Sequence, residues 1–160
     1  MQITTRQARL DDLSFLRRFE QGIVEAERPF DPTLGDGELQ YHNIPLIIES
    51  PDAELVVALI DGKIVGCGYG QIRDAESYLR HSKFCYVGLI FVVPEHRGKG
   101  VNKTILEALK TWARSRNIFE MRLEVYDNNV RAKRAYEKEG FAPHMLTMRI
   151  DLSNKDKITK

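Results

Sequence analysis

Between Tyr86 and Trp112 the chain passes from one regular structure to another through a basic, glycine-rich turn, and this junction limits the possible folds more than any other stretch. Tyr86 to Val93 is an almost unbroken apolar run of strand length, after which Val101, Ile105, Leu109 and Trp112 recur at helical spacing. A strand therefore feeds a helix through Pro94-Glu95-His96-Arg97-Gly98-Lys99-Gly100. Gly98 and Gly100 let the backbone bend sharply and approach a ligand at the positive end of the helix dipole, where unsatisfied N–H groups favour phosphate. Arg97 and Lys99 add charge to the same nest. An ordinary strand-to-helix turn with a solvated basic face has the same spacing, so the turn alone does not decide.

Two nucleotide motifs fail at this junction. A Walker A loop needs Gly immediately before Lys-Ser/Thr, but Lys103-Thr104 follows Asn102, and Arg97 stands where the first glycine belongs. The dinucleotide fingerprint lacks its third glycine.

Arg97-Gly98-Lys99-Gly100-Val101-Asn102 resembles the pyrophosphate-binding signature of the GCN5-related N-acetyltransferases, Arg/Gln-x-x-Gly-x-Gly/Ala, with Asn102 as the one departure. A second block is similar to the family's fifth strand and fourth helix. It comprises Leu123-Glu124-Val125-Tyr126 and then Asn129 to Phe141, with Asn129, Ala132, Tyr136, Gly140 and Phe141 at the family's spacing. The likeness runs from about Ile3 to Leu152. It implies an α/β, α+β-layered fold in which a mixed central sheet of six or seven strands is flanked by about four helices, with a splayed central strand binding the cofactor. The domain expected is 1–152, with 153–160 a charged, frayed tail.

The rest of the chain is compatible with that order of elements. Gln2 to Ala8 alternates as a strand, and Asp11 or Asp12 precedes a helix whose apolar stripe is Leu13, Leu16, Phe19 and Ile23. Residues 27–36, rich in Pro and Gly, form a loop over a site before a second helix ending near Glu49. Glu54 to Ile60 and Ile64 to Arg73 read as a hairpin about Asp61-Gly62. Gly66, Gly68 and Gly70 alternate within it and leave one face bare for a neighbouring backbone or a ligand. Further strands are expected at Glu120 to Tyr126 and Met145 to Leu152, with a helix from Asn129 to Glu139 between them.

Composition suits one soluble domain. At 160 residues and 42% hydrophobic content the chain can bury one core, and 24 basic against 23 acidic residues argue for neither nucleic acid nor an anionic membrane as partner. No apolar run reaches the length of a membrane span, and the polar start is no signal peptide, which makes the cytoplasm the default location. Cys67 and Cys85 read as buried thiols. The four histidines lack metal-ligand spacing with one another, so no metal is expected.

The resemblance implies an N-acetyltransferase that moves acetyl from acetyl-CoA directly to a primary amine of a small molecule, peptide or protein, and exposed sheet edges leave monomer and homodimer both open. Phe91, Val92 and Val93 would bind the pantetheine arm through their backbone, one N–H polarising the thioester carbonyl. Arg97 through Asn102 would hold the pyrophosphate, and Asn129, which also suits a helix N-cap, would contact the cofactor. Tyr136 would be the acid, since a phenol of pKa about 10 can protonate a thiolate whose parent thiol lies at about 8.5. Many relatives carry a carboxylate base on the central strand, but Val87-Gly88-Leu89-Ile90-Phe91 offers none. Glu25 and Glu27 are the remaining candidates, Glu27 foremost, as a base or as a charge that steers the ammonium. Glu124 stays outside the site. A second reading, an acyl-CoA sensor without efficient chemistry, stays open.

Overall fold

The computed structural model describes residues 1–153. They divide into two units, Met1–Glu124 and the described residues from Val125 onward.

The first unit is a five-stranded sheet in the order β1-β2-β3-β4-β5. β1 (Ile3–Gln7) pairs antiparallel with β2 (Ala53–Ile60), which turns at Asp61-Gly62 into β3 (Lys63–Asp74), itself antiparallel to β4 (Lys83–Val92). Both turn residues have positive φ, 50° and 76°, as a two-residue hairpin with the twist of its strands requires. α3 (Val101–Ser115) carries the chain to β5 (Met121–Arg122), the one strand parallel to its neighbour. This short β5 stands where the sequence predicts a strand over Glu120 to Tyr126.

Alternation along β3 sorts the layers. Cys67 and Tyr69 point into a core shared with Leu16 and Phe19 of α1 (Leu13–Glu27) and Ile44 and Ile47 of α2 (Ile44–Glu49). Gly66, Gly68 and Gly70 face the other way, and the bare face expected there is filled by α3. A Cβ on Gly66 would lie 3.2 Å from Ile105 Cδ1, one on Gly68 2.7 Å from Ile105 Cγ2, and one on Gly70 3.3 Å from Trp112. Val101, Ile105, Leu106, Leu109 and Ala113 form the buried stripe of α3. Each of the Val, Ile and Leu side chains among them contributes about 1.5–3 kcal/mol by leaving water.

The second unit holds α4 (Val130–Lys138), whose N-cap Asn129 accepts the N–H of Ala132 at 3.2 Å. The helix ends with the Phe141 N–H bonded to the Tyr136 carbonyl at 3.1 Å. Residues 141–152 form no strand. The expected sheet of six or seven strands is therefore five among the described residues, and the strand predicted at Met145 to Leu152 is absent. The alternation of Leu146, Met148, Ile150 and Leu152 is present, but these side chains are exposed, and a ladder also needs a partner edge, which alternation does not encode. Of the expected tail only Ser153 is described, its hydroxyl and N–H bonded to Asp151; 154–160 lie outside the described residues.

Candidate active site

The site is built on β4. Its ladder with β3 shifts register between the pairs Cys67–Phe91 and Tyr69–Gly88, and at this bulge the buried Leu89 has φ of +53°. A bulky side chain in that region is strained, and such strain concentrates where a strand is re-aimed for function. The Cys67 thiol donates to the Leu89 carbonyl at 3.2 Å, supporting the distortion. On its other edge β4 pairs with β5 only at Cys85–Met121 and Tyr86–Arg122. Beyond Tyr86 that edge has no ladder partner among the described residues, which is the splay that backbone recognition of an extended ligand requires.

The end of β4 is partly committed to other partners. The Val93 N–H donates to the Val65 carbonyl at 2.9 Å, so by alternation Val92 presents its backbone to the free edge. Arg97 Nε already donates to the Val92 carbonyl at 3.0 Å, which leaves the Val92 N–H as the backbone group without a partner at that edge among the described residues. The Phe91 ring stacks on Phe19 with centroids 4.9 Å apart and fits against Gly22, where a Cβ would come within 2.6 Å of it. Phe91 thus anchors α1 to the splayed strand.

Downstream, Gly98 and Gly100 have φ of +75° and +91°, and no side chain crowds Gly98. These glycines are required by backbone conformation, not by lack of space. Gly100 caps α3, accepting from the Thr104 N–H and hydroxyl at 3.0 and 2.9 Å, and the preceding first-turn N–H groups have no intrahelical acceptor. Nδ1 of His96 is buried without a partner, an orphan that a polar ligand seated on this loop would satisfy. Lys99 is exposed, Asn102 is half-buried within an unbroken helix, and Val101 is 1% exposed and belongs to the core. Arg97 lies back on the strand, its guanidinium 5.6 Å from the centre of the Phe91 ring.

The two candidate glutamates at the end of α1 differ. Glu25 is exposed and paired with Arg28 at 2.9 Å. Arg28 also donates to the carbonyls of Gly35 and Gly37, tying down the Pro-rich loop. Glu27 is half-buried. Burial lifts its carboxyl above the usual range, the hydroxyl bond from Tyr41 opposes this, and Asp31 adds to the rise. Glu25, Asp36 and Glu38 line an open hollow of about 460 Å³ with Gln21, Arg28 and Gly37.

Three features escape a reading by motif. Glu20, 2% exposed, accepts from both the backbone N–H and Nδ1 of His42, at 3.0 and 2.8 Å. The His42 ring meets buried Tyr69 edge-on at 5.3 Å. Tyr86 donates to Glu124 at 3.1 Å, so Glu124 has a partner at the mouth of the splay. Glu20 was detectable as a charge within the buried stripe Leu16, Phe19, Val24 of α1, but nothing in the sequence names its partner.

In the second unit Tyr136 is half-buried on α4, edge-to-face with Phe141 at 6.0 Å. Asn129 performs the capping role. Both cysteines are free, and burial pushes the Cys85 thiol up to about 11 and Cys67 higher still, so neither is a ready nucleophile. Among the described residues no His, Cys, Asp and Glu side chains cluster as metal ligands, and no helix is long and apolar enough to cross a membrane.

A bulged, splayed strand ending in a glycine-rich turn at a helix start is the architecture that the signature implies. The model of the acetyltransferase (GNAT) family matches residues 18–141. The chain belongs to the GNAT family. Among GNAT relatives, an aminoglycoside N(6')-acetyltransferase type 1 of Salmonella typhimurium is 26% identical over 114 residues, 71% of this chain and 74% of that one. A streptothricin acetyltransferase of Escherichia coli is 48% identical over 52 residues; that match spans 32% of this chain and only 30% of the relative. A predicted acetyltransferase of Clostridium acetobutylicum, solved with acetyl-CoA, superposes with a TM-score of 0.74 at 16% identity, over 94% of this chain and 97% of that one. This GNAT chain therefore shares its fold with a structure that holds acetyl-CoA.

Proposed function

We propose that the protein is an acetyl-CoA-dependent N-acetyltransferase that transfers acetyl directly to a cationic primary amine. The observation that carries this reading is the free edge of β4 leading into the glycine turn, because it offers backbone groups to a pantetheine arm and helix-start N–H groups to a pyrophosphate on one continuous track. Two of the relatives are named for the acetylation of aminoglycosides and streptothricin, which supports an amine acceptor. The acidic lining of the hollow at Glu25, Asp36 and Glu38 favours a cationic one.

Acetyl-CoA supplies the activated acyl group. The Val92 N–H donates to the thioester carbonyl as negative charge develops on its oxygen, a contribution of a kind worth about 2.7–4 kcal/mol of barrier. Phe91 and Val93 hold that N–H in place. Gly98 to Asn102 receive the pyrophosphate on backbone N–H groups, with Lys99 and a swung-out Arg97 neutralising its charge and His96 Nδ1 gaining a partner. Asn129 and Tyr136 are assigned by their motif positions, Asn129 to cofactor contact and Tyr136 to protonation of the departing thiolate. Glu27 draws in the ammonium of the acceptor. The two free cysteines are in keeping with a reducing compartment such as the cytoplasm.

Calorimetric titration with acetyl-CoA tests the cradle. Saturable one-site binding is expected, weakened when Arg97 and Lys99 are both changed to Ala. Absence of binding at millimolar ligand would remove the reading, and binding without thiol release in the presence of any amine would leave a sensor.

A further inference from the structure

We propose that His42 takes the proton from the acceptor amine and that Glu20 is its positioning residue. This rests on the acetyltransferase reading above and supplies the base that β4 lacks.

A carboxylate in the apolar stripe of a helix is costly unless its oxygens are paired. Glu20 on α1 is 2% exposed, and among the described residues its hydrogen bonds all come from His42: the backbone N–H and Nδ1 meet the same Oε2. The first bond fixes the backbone at the start of α2, and the second fixes the ring. With Nδ1–H donating to a carboxylate, the neutral imidazole is the tautomer whose Nε2 carries the free lone pair. Nε2 has no protein partner among the described residues, and the His42 side chain keeps 18% exposure. A buried acid behind an imidazole with its outer nitrogen free is the geometry that orients a general base and balances the imidazolium it becomes.

The dyad also stands beside the strand where chemistry is assigned. The Tyr69 ring, edge-on to His42, lies over Gly88, 2.7 Å from where a Cβ would stand, and Gly88 precedes the strained Leu89 of the bulge. On α1, the neighbour of Glu20 is Phe19, stacked on Phe91. The titratable and charged groups around the ring are Glu20 from α1, Tyr41 beside it in sequence and Tyr69 from β3. Behind Tyr69 stand Tyr86, Arg73 and Glu124. Burial raises the Tyr69 phenol, and Glu20 alone of the acids bonds directly to the ring.

The step balances as follows. Nε2 accepts one proton of the ammonium, and the freed nitrogen lone pair forms the C–N bond at the acetyl carbon. The C–S bond breaks with its electron pair on sulfur, which takes a proton from Tyr136. The second amine proton restores Tyr136 through solvent, and His42 releases its proton to solvent.

The test uses the full chain, with an aminoglycoside, streptothricin and a lysine-containing peptide as acceptors and thiol release as readout. His42→Ala is expected to lower kcat/KM at neutral pH by roughly 10²- to 10⁴-fold, the range for loss of an acid–base group. The acidic limb of the pH profile should flatten, acetyl-CoA affinity should hold, and added imidazole should restore part of the rate. Glu20→Gln should lower kcat with little change in KM. On the wild-type protein, nitrogen NMR should find Nδ1 protonated and Nε2 bare at pH 8, which keeps the inference testable if a variant fails to fold. Wild-type rates with a superimposable pH profile in His42→Ala, or a proton on Nε2, would overturn the role of His42 while leaving the acetyltransferase standing. No thiol release by the wild-type protein with any amine would overturn both.

Discussion

Arg6 and Asp12 form a two-pronged pair, 2.8 and 2.9 Å, that ties the end of β1 to the start of α1, and the same Asp12 carboxylate accepts the Arg9 N–H at 2.8 Å. The Arg6 bonds hold the Asp12 carboxyl below its usual range against the opposing effect of burial. A folded-state pKa below the unfolded one stabilises the fold above the unfolded value, and that contribution is lost as pH falls through the folded value. Asp12→Asn should therefore cost about 2 kcal/mol at pH 7, as expected for a charge-assisted hydrogen bond. Its melting temperature should begin to approach that of the wild type below about pH 4, the carboxylate reference range, and meet it only beneath the lowered folded value. Thermal scans at pH 7 and in acid check this. Glu27 has the opposite sign. Burial raises its carboxyl, so its contribution is present in acid and is lost as pH rises through the raised value. Glu27→Gln should raise the melting temperature at pH 7, leave it unchanged in acid and raise KM for a cationic acceptor, an exchange of stability for activity typical of a working residue. If KM does not move, Glu27 is only a buried helix-end acid. For Tyr136→Phe, turnover should fall while acetyl-CoA affinity holds; unchanged turnover would remove Tyr136 from the mechanism.

At the scale of elements, the contact between β3 and α3 depends on side chains that are absent. A Cβ at Gly66 would stand 2.7 Å from the Phe91 carbonyl oxygen, a backbone atom that cannot swing aside. Gly66→Ala should thus force β3 and β4 apart beside the proposed thioester position, costing about 1–3 kcal/mol as overpacking does. Acetyl-CoA binding should weaken as well, since Val92 pairs with Gly66. A variant of wild-type stability and affinity would show that the strands yield freely. The three alternating glycines were visible in the sequence, and the partner they wait for was not, because a bare face accepts a helix or a ligand equally. The hairpin, α1, α2, α3 and α4 were legible because periodicity, caps and Asp61-Gly62 are local signals. The place of β5 was legible too, within the strand predicted over Glu120 to Tyr126, but its shortness and the absent strand after Phe141 were not, since pairing is a property of two segments. Likewise the glycine turn was readable from its own residues, whereas the dyad joins Glu20 and His42 across 22 positions and a strained Leu89 carries no sequence mark.

For the molecule as a whole, the cradle predicts a linkage that needs no acceptor. The β4 edge and the start of α3 exist only in the folded chain, so acetyl-CoA bound there stabilises the fold by mass action, about 2.7 kcal/mol at a hundredfold excess over Kd. For a chain of this length that corresponds to a rise of roughly 5–10 °C in melting temperature. Changing Arg97 and Lys99 to Ala should leave the melting temperature of the free protein almost unaltered, because both side chains are exposed, and should reduce the rise with acetyl-CoA. Arg97 separates two effects, since its bond to the Val92 carbonyl must break for the guanidinium to reach a phosphate. The single variant Arg97→Ala should therefore lose less binding than Lys99→Ala, part of the Arg97 interaction being spent on leaving the strand. An equal rise in all variants and the wild type would place the cofactor elsewhere than on this turn.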